Sequence, residues 1–428
     1  MRNLSHSLPR RPMDAPESRL FLSEFLLTLP ILLAVVLSSM NELRLLAHMT
    51  PADLALLFAV MSVVIRALIT GKTVQVPVVF FLPGLLMLLP ALLQVALYQN
   101  VASFVGLLFY LVASTAVPLV IYWSAQGNSR LLLLLAIGWL AGHLFSIMVG
   151  ITTHHGIWFF GLHDESALNA WGGYRISGLS THPNMLATFT TIMLPFLVVM
   201  AFALKRWLFR FVAVLVAVIF FYALDLTGSR AGMAAVLVAV PVVLWICVGF
   251  TGKGKRIPYL IIIVGMLGLS WIATDMLSGK YESASAIERI LGGGDSERSD
   301  SERKSIRKAT FERIDKAPVL GSGYQDLRQA HNFFLQFLQC GGALGLLGFV
   351  IYIGLLAYWS AGAYAMSLSH SVTIQMAVIA VSAGLLSWLM MGMFQNAVTE
   401  RPIYVAVGIL LTLYYGLKNG DFTPDRQA

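Results

Sequence analysis

Three side chains, far apart in the chain, are of the types needed to hold a phosphate leaving group and to take a proton. Arg175 lies in YRISGLSTHPN, Arg230 in LTGSRAG, and His331 opens HNFFLQFLQCGG. A guanidinium is planar, binds phosphate oxygens two at a time and does not deprotonate in a protein. Two of them converging on one point make a diphosphate site without a metal. Histidine is the side chain best poised to accept a proton near neutral pH. Facing arginines, its cationic form is disfavoured by repulsion, which leaves a neutral imidazole available as a base. Each residue also has a plainer reading. An arginine can anchor at lipid headgroups or pair with a carboxylate, and a histidine at a helix start can be a structural hydrogen-bonder. The choice depends on what positions them.

The chain has 428 residues, of which 58% are hydrophobic and 12% charged, with a mean hydropathy of +0.78. A soluble domain carries about 25% charged residues. At half that value there is too little polar surface to cover a globule in water, which excludes a soluble enzyme and a disordered chain. The two cysteines, Cys247 and Cys340, sit in apolar stretches and exclude a disulfide scaffold or a thiolate metal cluster. The composition is that of a polytopic membrane protein.

A hydrocarbon core of ~30 Å needs about 20 apolar residues in a helix. About twelve such runs are predicted, near 20–39, 53–71, 77–97, 101–123, 131–150, 185–204, 208–225, 231–250, 257–278, 333–359, 372–395 and 402–417. They are continuous rather than alternating, so the fold class is all-α and not a barrel. The first run follows a polar arm, residues 1–19, and carries Glu24. It is too long for a cleaved signal peptide and lacks a small-residue cleavage site.

With the N-terminus in the cytoplasm, fifteen Lys and Arg fall on the cytoplasmic side. The short outer loops then hold only four, Arg44, Arg175, Arg230 and Arg401. That asymmetry fixes the orientation. It places Arg175, Arg230 and His331 at one membrane face, which hydropathy alone did not require. It also demands a reason for each outer arginine, because a cation near the apolar region is expensive unless paired, snorkelled or functional.

Two outer segments, about 151–184 and 279–331, are long enough to hold chemistry. The second has ten basic and nine acidic residues, so its charge nearly cancels. Within it, Ile306, Ala309, Phe311 and Ile314 predict an amphipathic helix after the Gly292-Gly293-Gly294 break, ended by Pro318 and Gly321-Ser322-Gly323. The stretch 303–316 is expected to form an outer helical cap, with Arg303, Arg307 and Lys308 as secondary lipid-phosphate contacts; a solvated charged face is the alternative there. Asn184 and Asn332 are candidate supporting residues. His143, His154, His155 and His163 with Asp164 fit no standard zinc spacing. No Asp-x-Asp pair, P-loop or dinucleotide fingerprint is present. No metal, cofactor or nucleic acid is expected. Glu24, Asp225 and Asp275 are too few and too close to helix ends for a proton-relay transporter.

Taken together, the motifs resemble those of the O-antigen ligase and polymerase superfamily of bacterial envelopes, and within it the O-antigen ligases. Arg175-Ile176-Ser177-Gly178-Leu179 resembles the R-x-x-x-L element of the ligases, followed by the His182-Pro183-Asn184 element of the wider family. Thr227-Gly228-Ser229-Arg230 resembles T-x-S-R, and Arg303 to Pro318 with Gly321-Ser322-Gly323 resembles the outer segment ending in P-x-x-G-x-G. His331, ten residues, then Gly342 resembles H-x10-G; Gly341 makes the spacing ambiguous. The motifs span about 175–342. The segment before His331 is less glycine-rich than in much of the family.

The resemblance implies metal-independent, inverting glycosyl transfer at the periplasmic face of a Gram-negative inner membrane. The implied donor is O-antigen polysaccharide on undecaprenyl diphosphate, and the implied acceptor a sugar hydroxyl of lipid A–core. In that reading Arg175 and Arg230 bind the diphosphate and His331 is the base. The chain then divides into a cytoplasmic arm 1–19, a transmembrane glycosyltransferase domain 20–417 among membrane lipids, and a cytoplasmic tail 418–428. Rival readings are an O-antigen polymerase, a protein O-oligosaccharyltransferase, and a transporter or flippase for a lipid-linked sugar. No internal repeat supports the last.

Overall fold

The computed structural model describes residues 28–45, 49–71, 77–162, 164, 175–251, 286–290, 296–326, 330–395, 398 and 400–422. The expected run 257–278, the arm 1–19 and parts of the segments 151–184 and 279–331 lie outside these residues.

Long apolar runs fold as helices because a chain in lipid must satisfy its backbone hydrogen bonds within itself. We number them α1 (Thr28–Ser39), α2 (Pro51–Thr70), α3 (Leu82–Tyr98), α4 (Val101–Ala125), α5 (Ser129–His154), α6 (Pro183–Ala203), α7 (Trp207–Leu226), α8 (Arg230–Thr251), α9 (Ala286–Ile290), α10 (Ser296–Lys316), α11 (Phe333–Ser367), α12 (Val372–Gly392) and α13 (Arg401–Asn419). Nine of them are long and apolar enough to cross a membrane among the described residues, and no strand is found there. The protein is an all-helical polytopic membrane protein.

Two helices form the hubs. α6 packs against α7, α8 and α12, and α13 against α4, α11 and α12. α13 is polar enough at its ends to fall outside those nine, yet nearly every residue from Pro402 to Tyr414 is buried. Its first residue, Arg401, pairs with Asp53 and donates to Asn41 Oδ1 and Thr50 Oγ1, each at 3.1 Å. Arg401 is thus structural: it ties the start of α13 to the capped start of α2.

The longest helix, α11, breaks at Gly342, where φ is 61° and ψ −156°. Essentially only glycine occupies that region. The break frees carbonyls, and the loop after α10 takes them up. Ser322 N donates to Gln339 O at 2.7 Å, and Gly323 N to Cys340 O at 3.0 Å. Ala343 N donates back to Pro318 O at 3.0 Å. Gln94 of α3 adds donations to Leu320 O and Gly321 O. The P-x-x-G-x-G and H-x10-G patterns are therefore one device, a loop capping a broken helix. The conformation at Gly342 removes the ambiguity with Gly341.

Gly342→Ala is expected to lower the unfolding temperature in detergent, since backbone strain alone costs about 1–3 kcal/mol. A Cβ there also meets the Val319 carbonyl. Gly354→Ala, on the same helix with open space around it, is expected to leave that temperature unchanged or raise it.

Candidate functional site

The Arg175 segment is held from behind by a buried carboxylate. Asp164 is 2% exposed. Its Oδ2 accepts from Ser177 N and Gly178 N, both at 2.7 Å, and its Oδ1 from Ser177 Oγ at 2.6 Å. Gly178 then turns with φ +60° against the Ser146 backbone, and Leu179 N donates to Ser146 Oγ at 2.9 Å. Leu179 is buried with Met40 and Val149. R-x-x-x-L thus reads as an arginine held by a clasped serine, a left-handed glycine and an apolar plug.

Clasped this way, Arg175 is half-buried and oriented. Its Nε donates to Thr227 O at 2.6 Å and its Nη2 to Asn184 Oδ1 at 2.9 Å, while Ile176 N donates to Leu226 O at 3.1 Å. The segment therefore lies across the end of α7 and the start of α6.

T-x-S-R is a tight cap. Thr227 Oγ1 donates back to Leu224 O at 2.6 Å and accepts from Ser229 N at 3.2 Å. Gly228 turns with φ +61°. Ser229 caps α8 by accepting from Gly232 N at 3.3 Å. Arg230 is then the first residue of α8. A cation there opposes the helix dipole, an arrangement that favours a bound anion.

The third element is pinned on both sides of His331. Ala330 N donates to Gln336 Oε1 at 2.7 Å, and Asn332 caps α11 by accepting from Leu335 N at 3.1 Å. His331 itself has φ +49°, a conformation that costs a β-carbon residue about 1–3 kcal/mol and clusters at functional sites. The segment 393–395 carries it to the others. Asn332 Nδ2 donates to Met393 O at 3.0 Å, and Gln395 Nε2 to Ser229 Oγ at 3.1 Å.

Three capped helix starts, those of α6, α8 and α11, therefore meet at one end of the bundle, with their positive dipole ends together. His182 stands among them. Its Nδ1 accepts from Asn184 N at 3.0 Å, so the neutral ring carries its proton on Nε2. Burial first, then the charges of Arg175 and His331, push His182 down to about 4. Burial, then Arg303, likewise lowers His331 below its ordinary 6.5. Both rings are neutral at pH 7.

Arg303 comes from α10, which packs against α11. The inward stripe of α10 is Arg303, Ile306, Thr310, Arg313 and Ile314, whereas Arg307, Lys308, Ala309 and Phe311 are exposed. The helix has an inner face, as its pattern predicted, but Ala309 and Phe311 are not on it. Of the three basic residues singled out there, the structure brings Arg303 to the site and leaves Arg307 and Lys308 facing outward.

Sequence reasoning named His182 only as part of a motif, without a place in the site, and missed Gln395 and the clasp of Asp164. A lone glutamine in an apolar run gives no signal, and Asp164 drew notice only for its neighbouring histidines. Of those histidines, His154 and His155 have their rings 5.2 Å apart. His143 Nε2 meets Thr190 Oγ1 at 3.0 Å and His155 Nε2 meets Tyr222 OH at 3.2 Å; His163 lies outside the described residues. No group of three His, Cys, Asp or Glu among the described residues could hold a metal ion.

The clasp can be tested directly. Asp164→Ala orphans buried donors at about 1–3 kcal/mol each and is expected to speed hydrogen exchange at Ser177 and Gly178. Asp164→Asn keeps one oxygen for both amides and turns its NH2 toward the Ser177 hydroxyl. It is expected to retain most of the protection.

Residues 215–352 match a family model described as O-Antigen ligase. No curated protein matches the chain. The matched stretch holds Arg230, α10, the loop that caps the broken helix, and His331, and Arg175 reaches it through Thr227. This match covers about a third of the chain, residues 215–352, and with the helical membrane fold it supports membership of the O-antigen ligase/polymerase superfamily, a family of glycosyltransferase-like enzymes of the O-antigen pathway.

Proposed function

We propose that the protein is an O-antigen ligase. It transfers O-antigen polysaccharide from undecaprenyl diphosphate to a sugar hydroxyl of lipid A–core, at the periplasmic face of the inner membrane of a Gram-negative bacterium. The observation that carries this reading is the convergence of Arg175, Arg230 and His331 on three helix starts. The first contributes through Thr227 and Asn184, the last through Asn332 and the 393–395 segment.

The reaction is a single displacement. The acceptor oxygen bonds to the anomeric carbon as the bond to the diphosphate oxygen breaks, which inverts that centre. The departing electron pair stays on the diphosphate, where Arg175, Arg230 and the helix dipoles stabilise it. The acceptor hydroxyl gives its proton to neutral His331. Since the leaving group is already an anion, no general acid is required, and the paired carboxylates of glycoside hydrolases have no role. A helical bundle lets the polyprenyl chain stay in lipid while its diphosphate reaches the aqueous face. Under this reading α10 is an outer cap, and burial together with Arg303 disfavours protonation of His331.

The test combines purified protein, undecaprenyl-diphosphate glycan, lipid A–core and a chelator. Glycan on lipid A–core, lost in His331→Ala, is the expected result. Elongated donor without use of lipid A–core would make the protein a polymerase. Translocation surviving His331→Ala would make it a transporter.

A further inference from the structure

Residues 157–162 form a tight turn just after α5, closed by paired backbone bonds between Phe159 and Leu162 at 2.9 and 3.1 Å. The turn does not project away from the bundle. It folds back along α5, so that the rings of Phe159 and Phe160 lie 5.5 and 6.3 Å from that of Phe145.

Phe145 sits well inside the membrane-spanning helix. Counting ~1.5 Å per residue from Leu131, the first apolar residue after the Asn128-Ser129-Arg130 edge, Phe145 stands about 21 Å up a ~30 Å core. The turn is therefore held roughly 5–10 Å below the headgroup boundary, the depth at which interfacial elements bury their apolar faces.

Its side chains divide into two sets. Phe159 and Leu162 face inward and pack on the cluster of Met40, Val149 and Leu179. Ile157, Trp158 and Phe160 face outward and are 59, 64 and 83% exposed. A ring as exposed as Phe160 at that depth has lipid as its surroundings, and tryptophan at this level is what interfacial belts use.

We propose that this turn is an aromatic wedge seated in the lipid leaflet on the site's side of the membrane, with Ile157, Trp158 and Phe160 as its anchors. The partner is the leaflet itself. The wedge presses from the lipid side on Leu179, and two residues beyond Leu162 the chain supplies Asp164, which clasps Ser177 and Gly178. The loop bearing Arg175 is thus braced between lipid and bundle. None of this depends on which reaction the site performs.

The two cysteines are buried, so a single introduced cysteine can be spin-labelled selectively. The full chain carrying Phe160→Cys is placed in nanodiscs of phosphatidylethanolamine and phosphatidylglycerol. Collision rates with oxygen and with a water-soluble nickel chelate then give the label's depth. Arg44→Cys, in the exposed α1–α2 loop at the same end of the bundle, is the aqueous reference. A label at 160 about 5–10 Å below the phosphates, with Arg44→Cys in water, is expected. Trp158→Cys is the second position if Phe160→Cys folds poorly, with the same expectation. Nickel accessibility at these positions equal to that at 44 would overturn the proposal and make the turn a water-facing patch.

Discussion

Arg175→Ala is expected to lower kcat with a lipid-linked donor by about 10²–10³-fold, the cost of losing one contact to charge that develops in the transition state, or roughly 3–4 kcal/mol. The fold is expected to survive. The segment keeps its Asp164 clasp, its Ile176–Leu226 bond and its Leu179 plug, none of which needs the guanidinium. Arg175→Lys is expected to rescue little. Nε and Nη2 are each committed to a fixed acceptor, Thr227 O and Asn184 Oδ1, and a lysine ammonium cannot hold both and still face a diphosphate with a planar fork. Single-turnover rates with donor in excess, beside unfolding temperatures, check this. Equal loss of rate and stability would reduce Arg175 to a strut.

The second large effect belongs to His331. Its removal takes away a general base, a contribution of typically 10²–10⁴-fold. Because alanine is strained at φ +49°, the cleaner substitution is His331→Asn, since asparagine tolerates that conformation. It is expected to lose activity while keeping its unfolding temperature. The pH dependence carries the sign. Burial and Arg303 lower His331 below 6.5, so the active, neutral form persists at pH 7 and activity falls only as pH drops through that lowered value. Arg303→Ala removes the second cause, and the acidic limb of kcat/KM is expected to move toward higher pH. A limb that stays in place would remove Arg303 from the site.

Much of this was legible in the chain because lipid imposes a simple rule. Eleven of the twelve apolar runs coincide with described helices, although α1 is described only from Thr28 and 257–278 lies outside the described residues. The convergence of Arg175, Arg230 and His331 at one end was legible from loop position alone, since each directly precedes or opens a helix starting on the same side. What joins them was not. Asp164, Gln395 and the carbonyl of Met393 act through single hydrogen bonds set by tertiary packing, and no periodicity announces such contacts. The role of Gly342 also needed coordinates, because a glycine in an apolar helix looks alike whether it fills space or breaks the helix. On α10, a repeat of charged residues hid which face turned inward; Phe311 ended outside and Arg303 inside.

In the proposed ligase, two guanidiniums and one imidazole surround the diphosphate–sugar bond of a lipid-linked donor. A cryo-EM structure of the protein in nanodiscs with undecaprenyl-diphosphate sugar bound decides whether they do. Diphosphate oxygens are expected about 3 Å from Arg175 and Arg230, with His331 on the opposite side of the anomeric carbon. A diphosphate seated away from the starts of α6 and α8, or a His331 ring turned from the sugar, would contradict that arrangement.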